Sequence, residues 1–501
     1  MAETKKKKIV FWPDVYKEQG HWLPTLAWAE HLKDDFDISF MGILDCKQIV
    51  DDYNRQNNTN FFYYPIFTKT YPMGYTSQIQ ASTNERWKPD HVKSLMYAMF
   101  YHNDDREDAG ANENQIEEAT EIRYFLTEDC DDGFPEYFEN FDDDYQNEIK
   151  EKVKQYGNPD LIVSGYFTAM ETAILYHLNQ RGDDFSRNIL FAISTTYLRH
   201  PSEDPAVRVM QNLQAFNNME QRYLLNIIMT DPDDFDEDEL EKEPSSSIDD
   251  FVLPLTDMHE FIPCTKTFDY AQYEHGAKVH YVEPCITNEL GEPDELSAKI
   301  DWNTLLTTNK KIVFVTAGSQ ILDYKEKALV LFQSIIDAMQ ASDMKEYHLI
   351  LCAGGTLAQS LKSNYDNVTI CGWVPQRQIL LTLAQEDHKG SCAIIHGGLA
   401  TIKECVYCNV PFLVLPLGKD QMDNALRLED CGINNYFYIE FIKPKCLLYF
   451  INQILQDYVS LSNLAALSKE FHDAEDSHIG AKAIAHLAEN GNLDDFDWDA
   501  V

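Results

Sequence analysis

The chain has 501 residues, 44% of them apolar, with 27 Phe and 27 Tyr; that is enough for more than one hydrophobic core and excludes disorder along the whole chain. A formal charge of -42 repels phosphate backbones and anionic lipid surfaces, which excludes broad nucleic-acid or membrane binding. No run of about 18 apolar residues is present to span a bilayer, and the N-terminus lacks the apolar core and cleavage site of a secretory leader; the expected location is the cytoplasm.

In chain order, Lys5 to Lys8 read as a solvated start. The apolar run Lys8 to Trp12 predicts a buried strand, followed by a loop carrying Gly20-His21 and a helix over about Leu23 to Leu32. Ile38 to Met41 predicts a second strand, the opening of a parallel α/β sheet. Residues 103–146 are dense in acids with interleaved Tyr124, Phe125, Tyr137 and Phe138, which predicts amphipathic helices with acidic outer faces. Another strand is expected at Leu161 to Val163, a helix at Ala169 to Leu178 and a strand at Ile189 to Ala192. The run Asp231 to Asp250 joins a charge block to three serines and predicts a surface loop.

A second α/β series begins at Lys311. Strands are expected at Ile312 to Thr316, His348 to Cys352, Val368 to Cys371, Cys392 to Ile395 and Phe412 to Leu415. Helices are expected over about Lys325 to Met339, Leu399 to Cys408 and from about Met422. Two α/β halves thus join near residues 286–305. Ligands of open α/β sheets bind beyond the carboxyl ends of strands, which singles out Gly20-His21, Gly318-Ser319 and His396 to Gly398. The 11 cysteines fit reduced thiols, and Cys405-x-x-Cys408, with no second pair beside it, reads as packing within a helix.

Residues 392–401 read CAIIHGGLAT, a buried strand running through Gly-Gly into a helix. Glycines let backbone N–H groups approach a ligand, and a helix N-terminus offers free donors with a positive dipole end. His396 and Thr401 add side-chain donors. Taken alone, the stretch suits a phosphate and a plain strand-to-helix turn equally. Its neighbours favour the phosphate. Gly372-Trp373-Val374-Pro375-Gln376 supplies an indole that can stack on a base and an amide that can pair with its edge. Pro416-Leu417-Gly418-Lys419-Asp420-Gln421 places a carboxylate beside an amide, a pairing suited to sugar hydroxyls.

WVPQRQIL, HGGLATIKE and PFLVLPLGKDQMDNA, in that order, resemble the donor-binding signature of family 1 glycosyltransferases, the UDP-glycosyltransferases of the GT-B fold. The likeness runs through roughly residues 311–432 and extends more weakly to GHWLPTLAWAEHL near the N-terminus. It implies two Rossmann-like domains facing across a cleft: an acceptor-binding domain over residues 1–290 and a nucleotide-sugar domain over 291–470. Residues 471–501 would form a helix crossing back and an acidic tail.

The resemblance also implies roles. Trp373, with Val374 beside it, would stack on uracil, Gln376 would bond its edge, and Glu404 would hold the ribose. Ser319, His396, Thr401 and backbone N–H groups near Gly398 would neutralise the diphosphate without a metal. Asp420 and Gln421 would bind the sugar, glucose by resemblance. His21 matches the family's general base, implying an inverting displacement by an acceptor hydroxyl. The implied partners are a UDP-sugar donor, as substrate with no separate cofactor, and a small aromatic or apolar acceptor; the chain is expected as a monomer or weak homo-oligomer.

Two positions depart from the family. Gly165 stands where many members carry an Asp that orients the catalytic His, so a carboxylate must come from elsewhere or His21 works without one. Ala400 replaces an Asn common in plant relatives. The alternatives are a UDP-sugar-binding protein that has lost catalysis, or another GT-B enzyme such as a lipid glycosyltransferase or UDP-sugar epimerase. No G-x-G-x-x-G follows the first strand, which sets aside a dinucleotide oxidoreductase.

Overall fold

The computed structural model describes residues 6–14, 17–66, 159–180, 189–214, 248–286, 295–318, 321–374 and 376–498, with 113 and 116. Apart from Glu113 and Ile116, the acidic helices expected over 103–146 lie outside the described residues, as do most of the 231–250 loop and Ser319. The chain divides into two compact units. One holds residues 1–262, 275–280 and 480–500; the other holds 263–274 and 281–479.

The first unit is built on a seven-stranded sheet ordered β3-β2-β1-β4-β5-β6-β7. Its strands are β1 (Lys8–Trp12), β2 (Asp37–Gly42), β3 (Phe62–Pro65), β4 (Leu161–Gly165), β5 (Leu190–Ser194), β6 (His259–Ile262) and β7 (Val279–Tyr281). β1 and β4 run parallel in direct register, Ile9 opposite Leu161 and Trp12 opposite Ser164. Both are buried along nearly their whole length, as central strands covered on two faces must be. Val10, Trp12, Ile162 and Ile193 pack on one side against Ala173 and Phe251.

The second unit repeats the plan with five strands ordered β10-β9-β8-β11-β12. They are β8 (Lys311–Thr316), β9 (Tyr347–Cys352), β10 (Val368–Cys371), β11 (Cys392–Ile395) and β12 (Phe412–Val414). Helix Lys325–Ala338 buries Leu331, Phe332, Ile335 and Ile336 against Val313, Leu349 and Leu413. Cys405 and Cys408 are both buried in helix Leu399–Tyr407 and its cap.

Each sheet reverses its winding once, between β1 and β4 in the first and between β8 and β11 in the second. At such a switch point the connections leave in opposite directions and open a crevice beyond the strand ends.

His21 differs from its expected place. The helix after β1 spans Gln19–Leu32, so His21 sits in its first turn rather than in a loop, its amide donating to Glu18 O. The expected helix began at about Leu23, which would have put Pro24 in the first turn, where proline is favoured. The chain instead tolerates proline inside the helix, where the Gly20 carbonyl loses its usual donor.

One histidine away from both switch points makes the fold sensitive to acid. His348 on β9 shares a 2.9 Å hydrogen bond with Thr369 Oγ1 on β10. Burial, then the Lys310 charge, pushes its pKa down from 6.5 to about 4. Between those values the unfolded chain takes up a proton that the folded chain refuses. Stability is therefore complete above pH 6.5 and lost as the pH falls towards 4. His348→Gln should flatten urea-unfolding free energy against pH in that window by about 1.4 kcal/mol per pH unit. An unchanged slope rejects this.

Candidate active site

The first unit gathers its reactive groups at the carboxyl ends of β1, β4 and β5, which are neighbours in the sheet. Beyond β1 the chain passes through Pro13 to Asp14, whose side chain is 1% exposed. His21 Nδ1 is hydrogen-bonded to Asp14 Oδ2, and the imidazole is 20% exposed. A carboxylate on one ring nitrogen holds the tautomer whose Nε2 can take a proton, and stabilises the imidazolium that results.

Gly165 is explained by the same loop. A Cβ at Gly165 would stand 1.7 Å from the Pro13 carbonyl oxygen. The backbone that brings Asp14 to His21 thus fills the space that a side chain after β4 would need. Asp14 escaped the sequence reading, although an acid immediately past the first buried strand was the available signal.

Aromatic rings surround this pair. His21 stacks on Phe167, centroids 4.9 Å apart, and Phe167 stacks on Tyr197 at 5.8 Å. Tyr166 meets both edge-on. Phe67, Tyr71, Tyr75 and Phe100 lie outside the described residues. Trp12 and Trp22 are fully buried and belong to the core.

In the second unit the loops after β8 and β11 close on His396. A Cβ at Gly318 would stand 2.6 Å from the ring and one at Gly398 2.5 Å from Nε2, so only glycines fit against the imidazole. Gly318 and Gly397 have φ values of 73° and 98°, the left-handed region that glycine alone enters cheaply. His396 Nδ1 is buried without a hydrogen-bond partner, and burial pushes its pKa down to about 4, so the ring is neutral at pH 7. Helix Leu399–Tyr407 starts here with Gly398 as its N-cap and no side chain satisfying its first amides. Free amides, a positive helix end and an orphaned ring nitrogen together suit a phosphate.

The remaining predicted residues flank this turn. Thr401 and Glu404 lie one helical turn apart on the same face. Gln376, first residue of helix Gln376–Leu383, donates its amide to the Glu404 carboxylate and sits 3.5 Å from Thr401 Oγ1. Burial raises the Glu404 pKa, while the Gln376 bond opposes the rise. Trp373 is half-buried and Val374 buried just before that helix. The opposite side of helix Leu399–Tyr407 is anchored by Lys403, whose buried Nζ donates to the carbonyls of Pro263 and Pro284.

The Asp420-Gln421 pair is more constrained than expected. Gln421 Oε1 accepts from the amides of Leu417 and Gly418 at 2.7 and 3.2 Å, so its own loop consumes that oxygen and its Nε2 remains for a ligand. Asp420 Oδ2 accepts from Asn424 Nδ2, which also donates to Gly397 O. Asn424 is fully buried and ties the acidic loop to the glycine turn. Sequence reasoning missed it; its place one turn beyond Asp420 was the only cue.

Two open parallel sheets, each with polar groups at its switch point, define the GT-B class of fold. Solved structures agree. The glycotransferase of kitacinnamycin superposes with a TM-score of 0.57 at 15% identity, covering 97% of this chain and 100% of that one. The spinosyn rhamnosyltransferase SpnG gives 0.56 at 13%, with the same coverage. Residues 296–476 match the model of the family described as UDP-glucoronosyl and UDP-glucosyl transferase. The uncharacterized UDP-glucosyltransferase YdhE of Bacillus subtilis (strain 168) is 23% identical over 196 residues, 39% of this chain and 46% of its own length. The NDP-glycosyltransferase YjiC of the same organism is 23% identical over 247 residues, 49% of this chain and 57% of its own. The chain therefore spans about half the length of the curated relatives it matches. Among the described residues, no helix is long and apolar enough to cross a membrane.

Proposed function

We propose that this chain transfers a sugar from a UDP-sugar to a hydroxyl of a small acceptor, with inversion at the anomeric carbon. The observation that carries the reading is the glycine cradle around His396, with its unpaired Nδ1 and the uncapped helix end beside it. The cradle would hold the diphosphate, with Ser319, Thr401 and the amides near Gly398 contributing donors. Trp373, with Val374 and Gln376, would take the uracil, Glu404 the ribose, and Asp420 with Gln421 Nε2 the sugar. Preorganised donors of this kind stabilise the charge that builds on the departing phosphate, so the reaction as proposed calls on no metal.

His21 would act as the base. As the acceptor oxygen bonds to the anomeric carbon, its proton passes to His21 Nε2 and Asp14 offsets the imidazolium charge. The bond from the anomeric carbon to the phosphate oxygen breaks, and UDP departs with the electron pair. Glucose is the donor sugar favoured by the names of the relatives, and a cytoplasmic location fits such donors.

The test pairs UDP-glucose, UDP-galactose and UDP-N-acetylglucosamine with a panel of phenols, reading UDP release and product mass. A glycoside with one added hexose is expected. Tight UDP binding without product from any pair would reject transfer. Loss of UDP binding in Trp373→Ala checks the donor assignment separately.

A further inference from the structure

Two arginines approach the described aromatic cluster beside His21: Arg199, which is ion-paired with Glu260, and Arg208, which stacks on its rings with no acid partner among the described residues. Arg208 lies in the first turns of helix Pro205–Gln214, which Asp204 caps by accepting from the Val207 amide. A positive charge at that end opposes the helix dipole. Its guanidinium sits 4.6 Å from the Phe167 ring centre and 5.0 Å from that of Tyr166. No carboxylate among the described residues lies within ion-pair distance of it. Glu203, on the preceding loop, accepts instead from the His200 amide. In a chain with 83 acidic and 41 basic residues, a half-buried arginine left without an acid is a local cost that invites a functional reason.

The position supplies one. His21 and Arg208 both lie against Phe167, so imidazole and guanidinium are no further apart than the two ring contacts combined. The groups between them are flat and apolar: Phe167, Tyr166 and Tyr197, the last stacked on Phe167. Burial pushes the Tyr197 phenol up, so it stays neutral. Phe167 and Tyr197 are only partly buried, so an aromatic plane laid on them would have the imidazole at one end for a hydroxyl proton and, at the other, a planar fork of N–H donors matched to a carboxylate.

We propose that Arg208 selects aromatic acids as acceptors: molecules with a phenolic hydroxyl towards His21 and a carboxylate towards the guanidinium. This rests on the proposed transfer reaction and names its acceptor class. Arg208 is a specificity residue here; it touches the acceptor away from the reacting atoms.

The experiment uses the full chain with 4-hydroxycinnamate and its uncharged amide. Wild-type protein should favour the acid in kcat/KM. Arg208→Gln should raise KM for the acid about tenfold or more, with little change for the amide or for UDP-glucose, and Arg208→Lys should recover part of the loss. Calorimetric titration with 4-hydroxycinnamate reads the same preference without turnover. Equal losses for acid and amide, or acid binding unchanged in Arg208→Gln, overturn the proposal. Transfer to the amide with no preference for the acid overturns this inference alone. Arg208-dependent binding of the acid with no transfer from any donor overturns the transfer reading and leaves the acceptor site standing.

Discussion

His21→Ala should lower kcat by about a hundred- to ten-thousand-fold, the usual worth of a positioned base, while UDP affinity stays within about twofold. Asp14→Asn should follow with a loss of about a hundredfold or more. It keeps the size of the side chain but removes the charge that stabilises the imidazolium and holds the tautomer. Because the two residues act as a unit, the double variant should be little worse than His21→Ala alone. Steady-state kinetics with one phenol, and calorimetry with UDP, measure both quantities.

Gly165→Asp sharpens this test. If a carboxylate after β4 could do the work, that substitution would rescue Asp14→Asn. The Pro13 carbonyl 1.7 Å from the would-be Cβ forbids it, so no rescue is expected and the fold should be destabilised. Full turnover by His21→Ala would remove the base from the mechanism. Recovery in the Gly165→Asp, Asp14→Asn pair would refute the account of the loop.

The second large effect is expected at the glycine cradle. Gly398→Ala should weaken UDP binding about tenfold or more, because its backbone tolerates a side chain but the Cβ displaces the His396 ring. Gly318→Ala adds a left-handed backbone to the same collision and should cost a further 1–2 kcal/mol or so of stability. Gly276→Ala is the control, since a Cβ there meets nothing within 4 Å. Calorimetric titration with UDP and thermal melts separate the two contributions. Wild-type UDP affinity in Gly398→Ala would mean that the cradle does not hold the diphosphate.

The placement of the proposed donor residues was legible because they are close in the chain and each is tied to a strand end. Trp373, Gln376, His396, Thr401 and Glu404 fall within one short stretch, and strand-turn-helix periodicity alone places them at the carboxyl edge of the second sheet. Gln421 shows what residue type leaves open, since its Oε1 accepts from its own loop. Whether an amide oxygen faces a ligand or its own loop depends on where the Leu417 and Gly418 amides point, which residue type does not reveal.

The proposed base was the reverse case. From Gly20-His21-x-x-Pro24 the sequence by itself determined that a histidine follows the first strand, and from PDLIVSGYF that its usual carboxylate is missing. Only the tertiary structure decided that Asp14 is the carboxylate hydrogen-bonded to His21. That choice depends on β1 and β4, distant in the chain, pairing in direct register, so that Pro13 and Gly165 meet at the switch point and one backbone excludes the other's side chain. Arg208 reaches His21's surroundings through Phe167 for the same reason. Parallel strands bring together the ends of segments that the chain keeps apart, and local periodicity carries no record of which ends those will be.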